Sequence, residues 1–114
     1  MEIPYASTTL RQDPILRFDG GTLVVELVFS TAEGEEERRI VFDRTRAFRH
    51  VNEPYCEAWH YEVAYDRVAE VEDSLWASEV EQRSQPVWAV GRHFVISIDS
   101  WGCLEVLATG ARLE

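Results

Sequence analysis

The sequence predicts an α+β protein built on a mostly antiparallel sheet of about six or seven strands, in one layer or partly rolled, with one clear helix near residues 74–83. Three observations carry this. Short β-prone runs alternate with turn residues over most of the chain, a single stretch has clear helix start and stop signals, and residues 93–108 read as a closing β-hairpin. Strands that follow one another through short turns pair antiparallel, which leaves the helix to pack on the sheet.

Residues 1–13 are polar and aperiodic apart from Ile3, Tyr5 and Leu10, and read as an arm lying on the body. Pro14 blocks a helix from upstream, so residues 15–18 form a short strand. Asp19-Gly20-Gly21 marks a turn; with Asp19 and Gly20 as its loop, Leu16 faces Leu23. In residues 22–30, Leu23, Val25, Leu27 and Phe29 alternate onto one face, and Val24 and Val28 add apolar weight to the other. That double-sidedness places the strand centrally in its sheet. Residues 31–37 read as an acidic loop around Gly34, and residues 38–43 return as a strand with Ile40 and Phe42 inward. The arginine-rich residues 45–51 suit an edge strand.

Asn52-Glu53-Pro54 breaks the pattern. Residues 53–66 fit both periods, and are read as a loop or short helix through His60 followed by a strand from about Val63 to Val71. Asp73 or Ser74 then caps a helix to about Arg83, with Leu75, Trp76 and Val80 on its buried side. Gln85-Pro86 ends it, and Val87 leads through Gly91 into the hairpin. A three-residue loop, Ser100-Trp101-Gly102, sets Asp99 opposite Cys103 and turns Phe94, Ile96, Ile98, Leu104, Val106 and Ala108 to one side.

A chain of 114 residues suits one domain, 1–114, with 1–13 as the arm and Leu113-Glu114 as a potential cloning scar. No apolar run is long enough to cross a membrane, and the amino terminus lacks a secretory pattern, so a cytoplasmic protein is expected. In that compartment Cys56 and Cys103 are expected as free thiols. The net charge of −10 argues against a nucleic-acid partner. The acidity is concentrated: from Glu53 to Glu81 nine acids stand against the single Arg67.

Three constellations could carry chemistry. Cys56 and His60 have i, i+4 spacing, too few ligands for a metal on their own, so neither metal nor cofactor is expected. The outward hairpin face carries His93, Ser97, Asp99, Cys103 and Glu105, a polar cluster able to bind a small molecule or act in acid–base chemistry, although a wet sheet face is polar in any case. No nucleophile with its base is identifiable, so no catalytic residue is assigned and an enzyme is the less favoured expectation. The acidic segment is interleaved with Tyr55, Trp59, Tyr61, Tyr65 and Trp76, which is the composition of an interface with an electrostatically steered rim.

Phe48-Arg49-His50-Val51-Asn52-Glu53, Val71-Glu72-Asp73-Ser74-Leu75-Trp76 and the closing hairpin resemble, in order and spacing, a group of small bacterial proteins that includes immunity proteins of toxin systems. The resemblance covers residues 38–108 and implies a stand-alone binding protein. The expected function is therefore a protein-binding module of immunity or antitoxin type. It would meet a basic protein through Glu53, Glu57, Trp59, Glu62, Glu70, Glu72 and Asp73. The alternative is a small-molecule site or enzyme at Ser97, Asp99, Cys103 and Glu105; a homodimer is the third expectation.

Overall fold

Alternating apolar strands need a second surface to cover their buried face, and here two sheets supply it to each other. The computed structural model describes residues 1–84 and 89–114. Within them, β1 (Ile15–Asp19), β2 (Thr22–Thr31), β3 (Gly34–Asp43) and β8 (Gly110–Leu113) form one antiparallel sheet in the order β1-β2-β3-β8. The second sheet has the order β4-β7-β6-β5, from β4 (Ala47–Asn52), β5 (Ala69–Val71), β6 (Arg92–Ile98) and β7 (Gly102–Ala108). Two helices, α1 (Ala58–Ala64) and α2 (Leu75–Arg83), complete an α+β fold.

The core lies between the sheets. From β2 come Leu23, Val25, Leu27 and Phe29, from β3 Ile40 and Phe42, and from the β6–β7 hairpin Phe94, Ile96, Ile98, Leu104, Val106 and Ala108. None of the hairpin six is more than 5% exposed. Phe42 meets Phe94 across the two sheets at a ring separation of 5.8 Å. Each fully buried Leu, Ile or Phe contributes about 1.5–3 kcal/mol relative to exposure, so this layer dominates the folding energy.

The structure corrects several local expectations. In the hairpin, Ile98 pairs with Gly102 and Ile96 with Leu104, so Ser97 faces Cys103 and Glu105 faces Val95. The expected pairing is off by two residues. An even shift leaves every side chain on its face, so the apolar side survives. The loop is Asp99-Ser100-Trp101, with Ser100 in the left-handed region at φ 62°. Between β1 and β2 the loop is Gly20-Gly21, both at positive φ, and Leu16 faces Val25 instead of Leu23. Residues 31–37 are not a loop: β2 and β3 run on to a two-residue turn, Thr31 pairing with Gly34. The expected strand from Val63 is replaced by α1, which runs to Ala64, leaving only Ala69–Val71 extended. Leu75, expected on the buried side of α2, is 74% exposed. The expected stop at Gln85-Pro86 and the lead-in from Val87 lie outside the described residues.

A third layer covers the outer face of the second sheet. Glu57 caps α1 through a reciprocal pair: its carboxylate takes the His60 backbone N–H, and its own N–H donates to His60 Nδ1 at 2.9 Å. Ser74 caps α2 by accepting the Ala77 N–H at 3.0 Å. Ser97 Oγ donates to the His60 carbonyl at 2.8 Å, which ties α1 to β6. The amino-terminal arm lies on this unit, Met1 and Val68 exchanging backbone hydrogen bonds. Among the described residues no helix is long and apolar enough to cross a membrane.

Candidate functional site

Because α1 and α2 cover it, the outward hairpin face is not wet. His93, Ser97, Cys103 and Glu105 are all at most 5% exposed, so their polarity is not that of a wet sheet face. A buried carboxylate demands partners, and Glu105 has them. Its cross-strand neighbour on β4, Arg49, approaches through Nε at 2.9 Å and through a terminal nitrogen at 3.3 Å, one to each oxygen. His93 Nε2 lies 2.8 Å from Oε1, and His60 Nε2 lies 3.5 Å from Oε2.

Burial alone would raise the pKa of Glu105. The hydrogen bonds from His93 and Arg49 and the charge of Arg49 overcome it and hold the carboxyl at about 2. Glu105 is therefore an ionised group fixed inside the fold. Two tryptophans wall it in. Arg49 lies 4.0 Å over the ring of Trp76, and Trp59 stacks on His60 at 4.1 Å. Ser74 extends the chain of contacts, its Oγ lying 2.7 Å from His93 Nδ1. Because ionised Glu105 can only accept, His93 Nε2 carries the proton between them, and in the neutral ring Nδ1 then accepts from the Ser74 hydroxyl.

Ser97, Cys103 and Glu105 thus share one covered face, but Asp99 stands apart in the turn, where its backbone N–H donates to Ser7 Oγ. Cys103 is joined in a disulfide to Cys56, 47 residues earlier, with the Cα atoms 6.3 Å apart. This corrects the expected free thiols. It pins the segment before α1 onto β7.

The acidic segment is spread over the helical layer and its edges. Glu53, in a short 3-10 turn (Glu53–Tyr55), accepts the Ser100 N–H at the β6–β7 loop. Glu57 caps α1 and takes the indole N–H of the half-buried Trp59 at 2.7 Å. Glu70 is held by Arg92 at 2.7 Å, whose hydrogen bond lowers its pKa. Glu62, Glu72 and Asp73 are exposed, with no side-chain hydrogen bond or ion pair among the described residues. Glu62 and Glu70 flank a groove of about 620 Å³ with Arg67 and Arg92; Glu72 and Asp73 flank another of about 550 Å³ beside Ser74 and His93.

No family model, curated protein or solved structure matches this chain.

Arg49, His60, Ser74 and Trp76 were not assigned to the Glu105 site by their local sequence. Their convergence depends on β4 pairing with β7 and on both helices crossing the same sheet face, which are long-range facts. The one local hint was a glutamate at an apolar-flanked position, between Leu104 and Val106.

Proposed function

We propose that this protein is a cytoplasmic protein-binding module of immunity or antitoxin type, whose helical layer receives a basic partner. The supporting observation is the company kept by its exposed apolar side chains. Leu75, 74% exposed, follows the unpaired Glu72 and Asp73, and Tyr55, 78% exposed, stands between Glu53 and Glu57. Large apolar anchors ringed by like charge suit a steered interface, in which the charge sets encounter rate and the anchors set residence. A basic active site would be neutralised by such a face.

The test compares Glu62→Gln/Glu72→Gln/Asp73→Asn with a charge-matched control, Asp13→Asn/Glu33→Gln/Glu37→Gln, on residues outside the helical layer. Association with a cationic protein captured from the native lysate is followed against salt. The first variant should associate at least tenfold more slowly with a flattened salt dependence, and the control should match wild type. Equal behaviour of the two variants would remove the proposal.

A small-molecule site or hydrolytic enzyme is the second reading, favoured by the order Ser74–His93–Glu105. A hydroxyl donating to an imidazole that donates to a fixed carboxylate is the polarity of an activated nucleophile, and Ser74 borders a groove. Labelling of wild type but not Ser74→Ala by a fluorophosphonate would support it; absence of labelling would leave Ser74 as a helix cap alone.

A further inference from the structure

A buried imidazole stands beside the two sulfurs that join the helical layer to the sheet. Cys56 lies two residues ahead of α1, His60 is on its first turn, and Cys103 rises from β7 beneath them. Both sulfurs and a ring nitrogen of His60 lie within 4.8 Å of one another. His60 and Cys103 are 4% and 1% exposed, so this is an interior cluster reached from the half-buried Cys56.

Among the described residues His60 Nε2 is buried without a hydrogen-bond partner, and Glu105 Oε2 lies 3.5 Å from it. The Nδ1 atom accepts the Glu57 N–H, so in the neutral ring Nδ1 carries the free lone pair and Nε2 the proton. A cation on Nδ1 would displace the Glu57 N–H from that atom and leave Nε2–H facing Glu105. That is the carboxylate–histidine–metal arrangement which orients an imidazole ligand.

We infer that the reduced protein binds one zinc-class divalent ion through Cys56, Cys103 and His60, with Glu105 orienting His60 from behind. Two thiolates and an imidazole select a borderline-soft cation over calcium or magnesium. Zinc–ligand bonds of about 2.0–2.3 Å set the donor atoms roughly 3.5–3.8 Å apart, inside the 4.8 Å span of the cluster. Three protein ligands leave a fourth position for water or a group from a partner.

The bridge and the ion are alternatives at one place. A small thiol reductant opens the disulfide by two exchanges: it gives up two electrons, becomes a disulfide itself, and leaves Cys56 and Cys103 as thiols. The ion then takes both as thiolates, and their two protons pass to solvent. The chemistry of the site therefore follows the redox state of its surroundings.

The test uses the full chain, reduced and stripped of metal, incubated with zinc and desalted, with bound zinc measured by mass spectrometry and thiol alkylation followed in parallel. The reduced wild type should carry about one zinc per chain and alkylate at least tenfold more slowly with zinc than without. The disulfide form should carry none, and His60→Gln should weaken retention at least tenfold. Cys103→Ser should do the same; should it misfold, the comparison of oxidised, reduced and His60→Gln protein still decides. Absence of zinc on the reduced wild type, or retention by His60→Gln equal to wild type, would overturn the inference.

Discussion

Arg49 and Glu105 sit directly opposite each other on β4 and β7, and the guanidinium holds both oxygens of a carboxylate that is only 3% exposed. The pair is asymmetric. Arg49 lies across the Trp76 ring with its side chain 47% exposed, whereas the Glu105 side chain is only 4% exposed. Removing the arginine leaves a buried charge faced only by His93 at 2.8 Å and His60 at 3.5 Å among the described residues.

Arg49→Ala should therefore destabilise more than an edge-strand arginine normally does. Breaking a buried pair costs about 3–5 kcal/mol; with His93 still in place and Arg49 half in water, about 2–3 kcal/mol is expected. Arg39→Ala, whose Glu114 partner is at the exposed carboxyl terminus, should stay within about 0.5 kcal/mol. Urea unfolding of both variants makes the comparison.

The same contacts set a pH dependence. The Glu105 carboxyl is lowered from its ordinary 4.5 to about 2 by folding. A depressed acid stabilises the fold fully above its unfolded value, and that stabilisation is lost as pH falls through the folded one. Integrated over that window it amounts to about 3 kcal/mol. Stability of the disulfide form should fall between pH 5 and about 2, and Glu105→Gln should fall less steeply by about one proton. Identical slopes would mean that Glu105 does not carry the acid sensitivity.

How much of this was legible depended on range. Period two told which side of the hairpin is apolar, and it held even though the pairing is displaced by two residues, because an even slip preserves the face. The placement of the loop was less legible, since Ser100 takes a left-handed conformation that a glycine would more commonly occupy. Residues 58–71 carry apolar positions that suit both periods, and the Glu57–His60 reciprocal cap, invisible to a hydrophobic pattern, favours the helix. Acidity of the segment was plain; its partition into Glu53, Glu57 and Glu70, which are engaged locally, and Glu62, Glu72 and Asp73, which are not, needed the fold. The Cys56–Cys103 contact spans 47 residues and no local signal announces it.

Gly102 should prove intolerant of any side chain. Its φ is +124°, and a β-carbon would stand 2.0 Å from the Val51 carbonyl oxygen where β4 pairs alongside. Backbone cannot move aside as a flexible side chain can, so Gly102→Ala should cost more than about 3 kcal/mol or prevent folding. Gly110 has open space around it and no positive φ, and Gly110→Ala should be close to neutral. Thermal melting of the pair separates a steric requirement from a general need for glycine in strands.

The disulfide closes a loop across most of the second sheet, from the segment before α1 to β7, with both helices between its ends. With 47 residues of separation, the chain-entropy relation gives about 4 kcal/mol of stabilisation, acting on the unfolded chain. The sandwich core between the sheets does not depend on it, since Leu23, Leu27, Ile40 and their hairpin partners are buried by strand pairing. Reduction should therefore lower the unfolding free energy by about 2–4 kcal/mol without abolishing the fold. Hydrogen exchange should then rise first in α1, which Cys56 anchors, while the β2 and β3 amides stay protected. Loss of protection in β2 at the same rate as α1 would show that the bridge supports the whole molecule and not the helical layer alone.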